Sequence, residues 1–95
     1  YSKINRFKHL ELIATQGRMV LMVLVLHNGE VRQRILTLAE PIGQDRLSET
    51  AARLTQLALG LTAKQIRPKL HGLNALEEEV LSLVITLLEE ESDRP

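Results

Sequence analysis

Two hydrophobic periods divide this chain near residue 41. Before it the spacing is that of strands, and after it that of helices. From Phe7 to Ala14, Leu10, Leu12 and Ala14 share one parity, and His9, Glu11 and Ile13 share the other. That alternation predicts a half-buried strand. Thr15-Gln16-Gly17-Arg18 predicts a turn. Met19 to Leu26 is apolar at every position. Its β-branched residues and flanking turns favour a strand, and the continuous run predicts one covered on both faces. His27-Asn28-Gly29-Glu30 follows, and Asn-Gly between two apolar runs predicts a two-residue type I′ hairpin. Such a turn sets Leu26 opposite Val31, Leu24 opposite Gln33, Met22 opposite Ile35 and Val20 opposite Thr37. On the other face Val25 then meets Arg32, Val23 meets Arg34 and Leu21 meets Leu36. The third strand should end near Leu38, before Glu40-Pro41, giving an antiparallel meander with the apolar strand central.

Pro41-Ile42-Gly43 breaks the pattern. From Gln44 to Leu59, Leu47, Ala51, Leu54, Leu57 and Ala58 fall on one helical stripe. Gly60 is placed to stop that helix. Thr62-Ala63-Lys64-Gln65 reads as a capping box opening a second helix, which Pro68 keeps short and Gly72 ends. Asn74-Ala75-Leu76-Glu77 reads as another box, opening a long helix to about Glu90. Glu77, Glu78 and Glu79 suit its first turn. Glu89, Glu90 and Glu91 oppose the helix dipole at the other end, so fraying is expected there. Ser92 to Pro95 is expected to be a disordered tail. The fold class is α+β, three strands in β-β-β order followed by three helices packed on the sheet.

The last helix carries more apolar surface than one interface needs. Leu76, Val80, Leu83 and Leu87 form a stripe, widened by Leu73 and Val84 and extended by Leu81, Ile85 and Leu88. The apolar arc spans about 200°, against roughly 100° for a helix packed on one side. Either the chain's own helices cover the excess or a partner does. The partner reading makes Leu81, Val84, Ile85 and Leu88 a candidate homodimer interface.

Composition narrows the chemistry. The 95 residues carry 12 basic and 12 acidic side chains, so there is no basic excess to neutralise phosphates. Tyr1 and Phe7 are the only aromatic residues, too few for a platform that stacks bases. No run reaches the roughly 18 apolar residues of a membrane span, and the opening residues do not lead one to expect a signal peptide. Absence of Cys removes disulfides and thiolate metal sites, and fits a reducing cytoplasmic setting. His9, His27 and His71 are dispersed over a strand, a turn and a helix end, without ligand spacing. Ser2, Ser48, Ser82 and Ser92 lie outside any nucleophile elbow. No glycine-rich phosphate loop exists. Neither a catalytic residue, a metal site nor a cofactor is expected. Arg32 and Arg34, two apart on one strand face, are a candidate anion contact. Residues 44–70 offer a helix-turn-helix alternative, with Gly60 and Ile66 six apart and Lys64, Arg67 and Lys69 on the second helix. Gln56 stands where a small residue belongs, however, and Pro68 truncates the recognition helix, so direct nucleic-acid contact is not expected.

The chain resembles the heat-inducible transcription repressor family HrcA. Lys8-His9-Leu10-Glu11-Leu12 and Val23-Leu24-Val25 carry the likeness in the first two strands. Gly29, Val31, Arg34, Leu38, Gly60-Leu61-Thr62 and Ile66 continue it. It covers residues 8 to about 67 well and the last helix loosely. The resemblance implies a bacterial cytoplasmic repressor of chaperone genes with a winged helix, a GAF-like domain and an inserted dimerisation domain. A GroE-type chaperonin is the partner it implies. The matching residues are those of the early GAF-like part, without the winged helix. Residues 1–72 are thus read as a GAF-like fragment and 73–91 as a packing or dimerisation helix. The resulting expectation is a regulatory and oligomerising segment of an HrcA-like repressor, homodimeric and non-catalytic. A GAF-like small-molecule or anion sensor is one alternative, and direct DNA binding by residues 44–70 is the other.

Overall fold

Strand β1, Phe7–Ala14, buries Phe7, Leu10 and Leu12. A register shift between Phe7 and His9 brings Phe7 onto the same inner face as the two leucines. In the computed structural model, which describes residues 4–90, β1 pairs antiparallel with β2, Met19–Leu26. Strand β2 pairs in turn with β3, Val31–Thr37. The sheet order is β1-β2-β3, as the meander requires.

The hairpin between β2 and β3 corrects the expected register by one residue. Gly29 N–H donates to Leu26 O, and Leu26 N–H donates to Glu30 O, each at 2.9 Å. Gly29 has φ +92°, while Asn28 keeps a negative φ. The connection is therefore a type I turn closed by a glycine bulge, one residue longer than a type I′ turn. Leu24 pairs with Arg32, Val23 with Gln33, Met22 with Arg34, Leu21 with Ile35 and Val20 with Leu36. A one-residue slip exchanges the faces of a strand. Arg32 and Arg34 consequently share the inner face with Leu24 and Met22, and Val31, Gln33 and Ile35 move to the outer face.

Helix α1, Gln44–Ala58, starts at Gly43, and Gly60 with φ +78° turns the chain after it. It packs along β1. Helix α2 is a single turn, Ala63–Ile66, and a 3-10 turn follows over Arg67–Leu70 with Pro68 at its start. Helix α3 spans Ala75–Glu89. Both capping boxes form: Thr62 with Gln65, and Asn74 with Glu77. One core holds all the layers together. The sheet contributes Phe7, Leu10, Leu12, Val20, Met22, Leu24 and Leu26, while α1 adds Leu47, Leu54 and Ala58.

Helix α3 settles the question of its wide apolar arc. Leu81 and Val84 are fully buried, and Ile85 and Leu88 are 3% and 4% exposed, all within one chain. The helix is flanked by α2, the 3-10 turn and α1. These elements cover the sides that the sheet does not, so the four residues proposed from the sequence as a dimer surface are core. The acidic end does not lack partners either. Asn5 Nδ2 donates to Leu88 O at 3.0 Å, Arg32 Nη1 donates to Leu87 O at 2.7 Å, and Arg67 pairs with Glu89. Donors from other elements, Arg32 and Arg67 among them cationic, supply what the last turn of α3 lacks. The expected tail from Ser92 and the residue Glu91 lie outside the described residues.

Candidate interaction surface

Arg32 and Arg34 were read from the sequence as an anion contact, and the structure engages both with protein groups. The Arg32 side chain is only 14% exposed and bridges Glu30 at 2.9 Å as well as the end of α3. Arg34 Nη2 lies 3.2 Å from both carboxylate oxygens of Glu90. The pair links β3 to the C-terminus of α3, with Arg32 largely buried and Arg34 45% exposed. The sensor reading also needs room between sheet and helices. Leu10, Leu12, Met22 and Leu24 fill that interface and are at most 1% exposed. A groove of about 460 Å³ lies instead beside Arg53, Leu57 and Leu73, and a smaller one of about 130 Å³ beside Ile42, Arg46 and Glu79. Neither is bordered by Arg32 or Arg34.

The helix-turn-helix alternative loses its recognition element. Four residues of α2 make one turn, too short to lie along a major groove. Arg67 of that segment is paired with Glu89. The histidines stay apart: His9 Nε2 meets Glu11 Oε2 at 2.6 Å, His27 is in the hairpin turn and His71 follows the 3-10 turn. Among the described residues no cluster of His, Cys, Asp and Glu could hold a metal. No described helix is long and apolar enough to cross a membrane.

What sequence reasoning missed is the outer face of the sheet. The continuous apolar run of β2 predicted burial on both sides. The structure fully buries only Val20, Met22, Leu24 and Leu26, leaving Leu21, Val23 and Val25 partly buried and Met19 exposed. Neighbouring strands extend this surface. Ile13 pairs with Leu21, and Leu21 with Ile35; Val25 pairs with Val31. Val31 and Ile35 are each 54% exposed, and Ile13 41%. Isolated surface hydrophobics need no explanation, but a contiguous patch on one sheet face marks a contact. The signal for it was in the sequence, in the odd-numbered positions of β2 and the Val31/Ile35 parity of β3, and the misassigned register concealed it.

The two sheet edges differ. Gln44 seals the edge of β1: its Oε1 accepts from Ala14 N–H, and its Nε2 donates to Leu12 O, each at 2.8 Å. Along β3, the bonds Leu38 N–H to Arg18 O and Leu26 N–H to Glu30 O turn the even-numbered backbone toward β2. The odd-numbered groups of β3 therefore face outward. Inward-pointing charges on an edge strand discourage another strand from pairing there, and Arg32 and Arg34 occupy that position. The face is thus a better contact surface than the edge.

The family described as the HrcA protein C-terminal domain matches residues 1–94. A heat-inducible transcription repressor HrcA from Roseiflexus sp. is 41% identical over 88 residues, covering 84% of this chain and 24% of the relative. The repressor of the same name from Herpetosiphon aurantiacus is 35% identical over 85 residues, covering 90% of this chain and 24% of the relative. That from Dehalococcoides mccartyi is 31% identical over 90 residues, covering 95% and 26%. The chain spans about a quarter of the length of these curated relatives. No solved structure matches it.

Proposed function

This chain belongs to the HrcA family of heat-inducible transcription repressors, and from that premise we propose that it is a regulatory and oligomerising segment of such a repressor, contributing contacts and no catalysis. Its contact surface is the outer face of the sheet, centred on Leu21, Val23 and Val25 and bordered by Ile13, Val31 and Ile35. One observation carries the reading: of the large apolar residues left exposed among the described residues, Ile13, Met19, Val31 and Ile35 lie on this face, with Ile4 and Leu59 elsewhere, whereas the apolar excess of α3 is enclosed. The Arg32 and Arg34 link supports it by tying β3 to α3, so that the face is presented on a fixed scaffold.

The test is sedimentation velocity of the wild-type chain over a concentration series, beside Val23→Glu. Val23 lies at the centre of the face and is only partly buried, so a carboxylate there reaches water in the monomer and is desolvated in any assembly. The wild type should self-associate with rising concentration, and the variant should remain a folded monomer with an unchanged circular-dichroism spectrum. A wild type that is monomeric throughout, or a variant that associates equally well, contradicts the proposal.

A further inference from the structure

We propose that the groove between α1 and the start of α3 binds a small organic carboxylate with an apolar body, its head held by Arg53. The site lies on the helices and does not depend on the contact face of the sheet. Arg53 and Leu57 stand four apart on α1, so they share one side of that helix. Gly72, Leu73 and Glu77 border the groove opposite them. Leu54, 1% exposed, forms the floor. Leu57 and Leu73 are partly buried and rest against the core, so each keeps some apolar surface free. Gly72 brings only backbone, and no atom lies within 4 Å of where a Cβ would stand, so nothing closes the groove there. The volume of about 460 Å³ falls in the range of about 300–1,000 Å³ that small-molecule sites occupy.

The head group follows from how Arg53 is held. A guanidinium has two edges that can each take a carboxylate in a pair of parallel bonds. Glu77 takes one edge: its Oε2 accepts from Nε at 2.6 Å and lies 2.5 Å from Nη2. The edge carrying Nη1 has no acceptor among the described residues. The two partners are unequally exposed, Arg53 at 56% and Glu77 at 9%. The ion pair therefore presents its cationic end to the groove and keeps its anionic end inside. Glu77 is itself fixed by the Asn74 N–H, so the guanidinium is oriented before a ligand arrives and loses less freedom on binding. Glu78 and Glu79, in the same stretch of α3, do not border this groove. The smaller groove lacks that bias, since Glu40 and Glu79 both border it beside its single Arg46.

The complementary ligand has a carboxylate at one end and a short aliphatic body that lies over Leu54 between Leu57 and Leu73. Neither half suffices alone. An exposed guanidinium gains little from one ion pair in water, and the apolar strip is too narrow to hold a chain without an anchor.

Octanoate is the probe, titrated into the isotope-labelled 95-residue chain while backbone amide resonances are followed. Saturable shifts are expected at Arg53, Leu57, Leu73 and Glu77, with a dissociation constant of about 1 mM or below. Acetate lacks the apolar body and octylammonium reverses the charge; each should bind at least about five times more weakly. Arg53→Lys keeps a cation beside Glu77 but gives up the second edge, and should weaken octanoate at least about fivefold. Leu57→Glu, one turn after Arg53, sets a rival carboxylate within reach of the open edge and should abolish binding. The unperturbed remainder of each spectrum reports that the variant is folded. Octylammonium binding as tightly as octanoate, or a folded variant binding octanoate undiminished, overturns the proposal. Shifts confined to Leu21, Val23 and Val25 also overturn it, because they place the probe on the sheet. Absence of any saturable shift up to about 10 mM overturns it as well, and leaves the groove to an apolar side chain from another part of a longer polypeptide. None of these outcomes bears on self-association, which sedimentation of the unliganded chain decides separately.

Discussion

Ile85→Glu should unfold the domain instead of dissociating an assembly. Ile85 is 3% exposed and sits among Leu81, Val84 and Leu88 in the single core. Removing its side chain alone costs about 2–5 kcal/mol, because the surrounding residues close only part of the cavity. An unpaired carboxylate in the same place adds several kcal/mol, or else is protonated at the expense of stability. A domain of this length holds roughly 5–14 kcal/mol in total. The sum therefore approaches or exceeds what the fold has to lose. Urea titrations followed by circular dichroism should show the variant largely unfolded or sharply less stable, at a midpoint that does not depend on protein concentration. Ser82→Glu, on the exposed side of the same helix, should change stability by no more than about 0.5 kcal/mol. A folded, monomeric Ile85→Glu chain would restore α3 as an interface and remove it from the core.

Glu77 should be the next most sensitive position, through its charge and its two sets of partners. Its carboxylate is nearly buried, accepts from Asn74 N–H at 3.0 Å, and bridges Arg53 at 2.6 Å to Nε and 2.5 Å to Nη2. The backbone hydrogen bond from Asn74 holds its pKa below the ordinary 4.5; burial opposes this, and Arg53 adds to the lowering. Glu77→Ala removes half of the capping box and leaves the Asn74 N–H without its acceptor, for a loss of about 2–3 kcal/mol. The exposed side of the Arg53 bridge is screened and contributes a small part of this. Glu77→Gln keeps an acceptor for Asn74 and should lose less.

The sign with pH follows from the lowered pKa. Below about 4.5 the unfolded chain takes up a proton at Glu77 that the folded chain resists. The stabilisation is complete above that value and is lost as pH falls through the lower, folded pKa. Unfolding free energies from pH 6 down to pH 3 should therefore fall less steeply for Glu77→Gln than for the wild type. Equal slopes would mean that the carboxylate is not held in its charged form by these contacts.

Much of the architecture was legible because local chemistry and hydrophobic period agreed. The extents of β1 and β2, the start of α1 and both capping boxes follow from residues that have few alternatives in those places. Thr62 with Gln65, and Asn74 with Glu77, are side chains whose donors and acceptors match at a spacing of three. The register of β3 was less determined. Its inner face could have been Val31, Gln33, Ile35 and Thr37, or Arg32, Arg34, Leu36 and Leu38, and each set is half apolar. Asn-Gly suits a type I′ turn, but glycine alone also suits the bulge position of a type I turn, and that second solution brings Leu36 and Leu38 inward. From that single residue of difference came the misplaced faces of β3, with Arg32 and Arg34 set outward and Val31 and Ile35 inward, and with them the overlooked outer face. Counting the apolar arc of α3 also misled, since α2, the 3-10 turn and α1 jointly enclose a helix that looked too greasy for one neighbour. Sequence periodicity reports how much of a helix is covered, not which element covers it.

Thiol labelling of two variants compares the two candidate surfaces directly in a chain that has no cysteine of its own. Ile85→Cys should react slowly with a maleimide at every protein concentration, opening only as the fold does. Val23→Cys should react quickly when dilute and progressively more slowly as the chain is concentrated. The reverse pattern, with Ile85→Cys open in dilute solution and shielded by concentration while Val23→Cys stays indifferent, would return the contact surface to α3 and contradict the assignment made from the sheet.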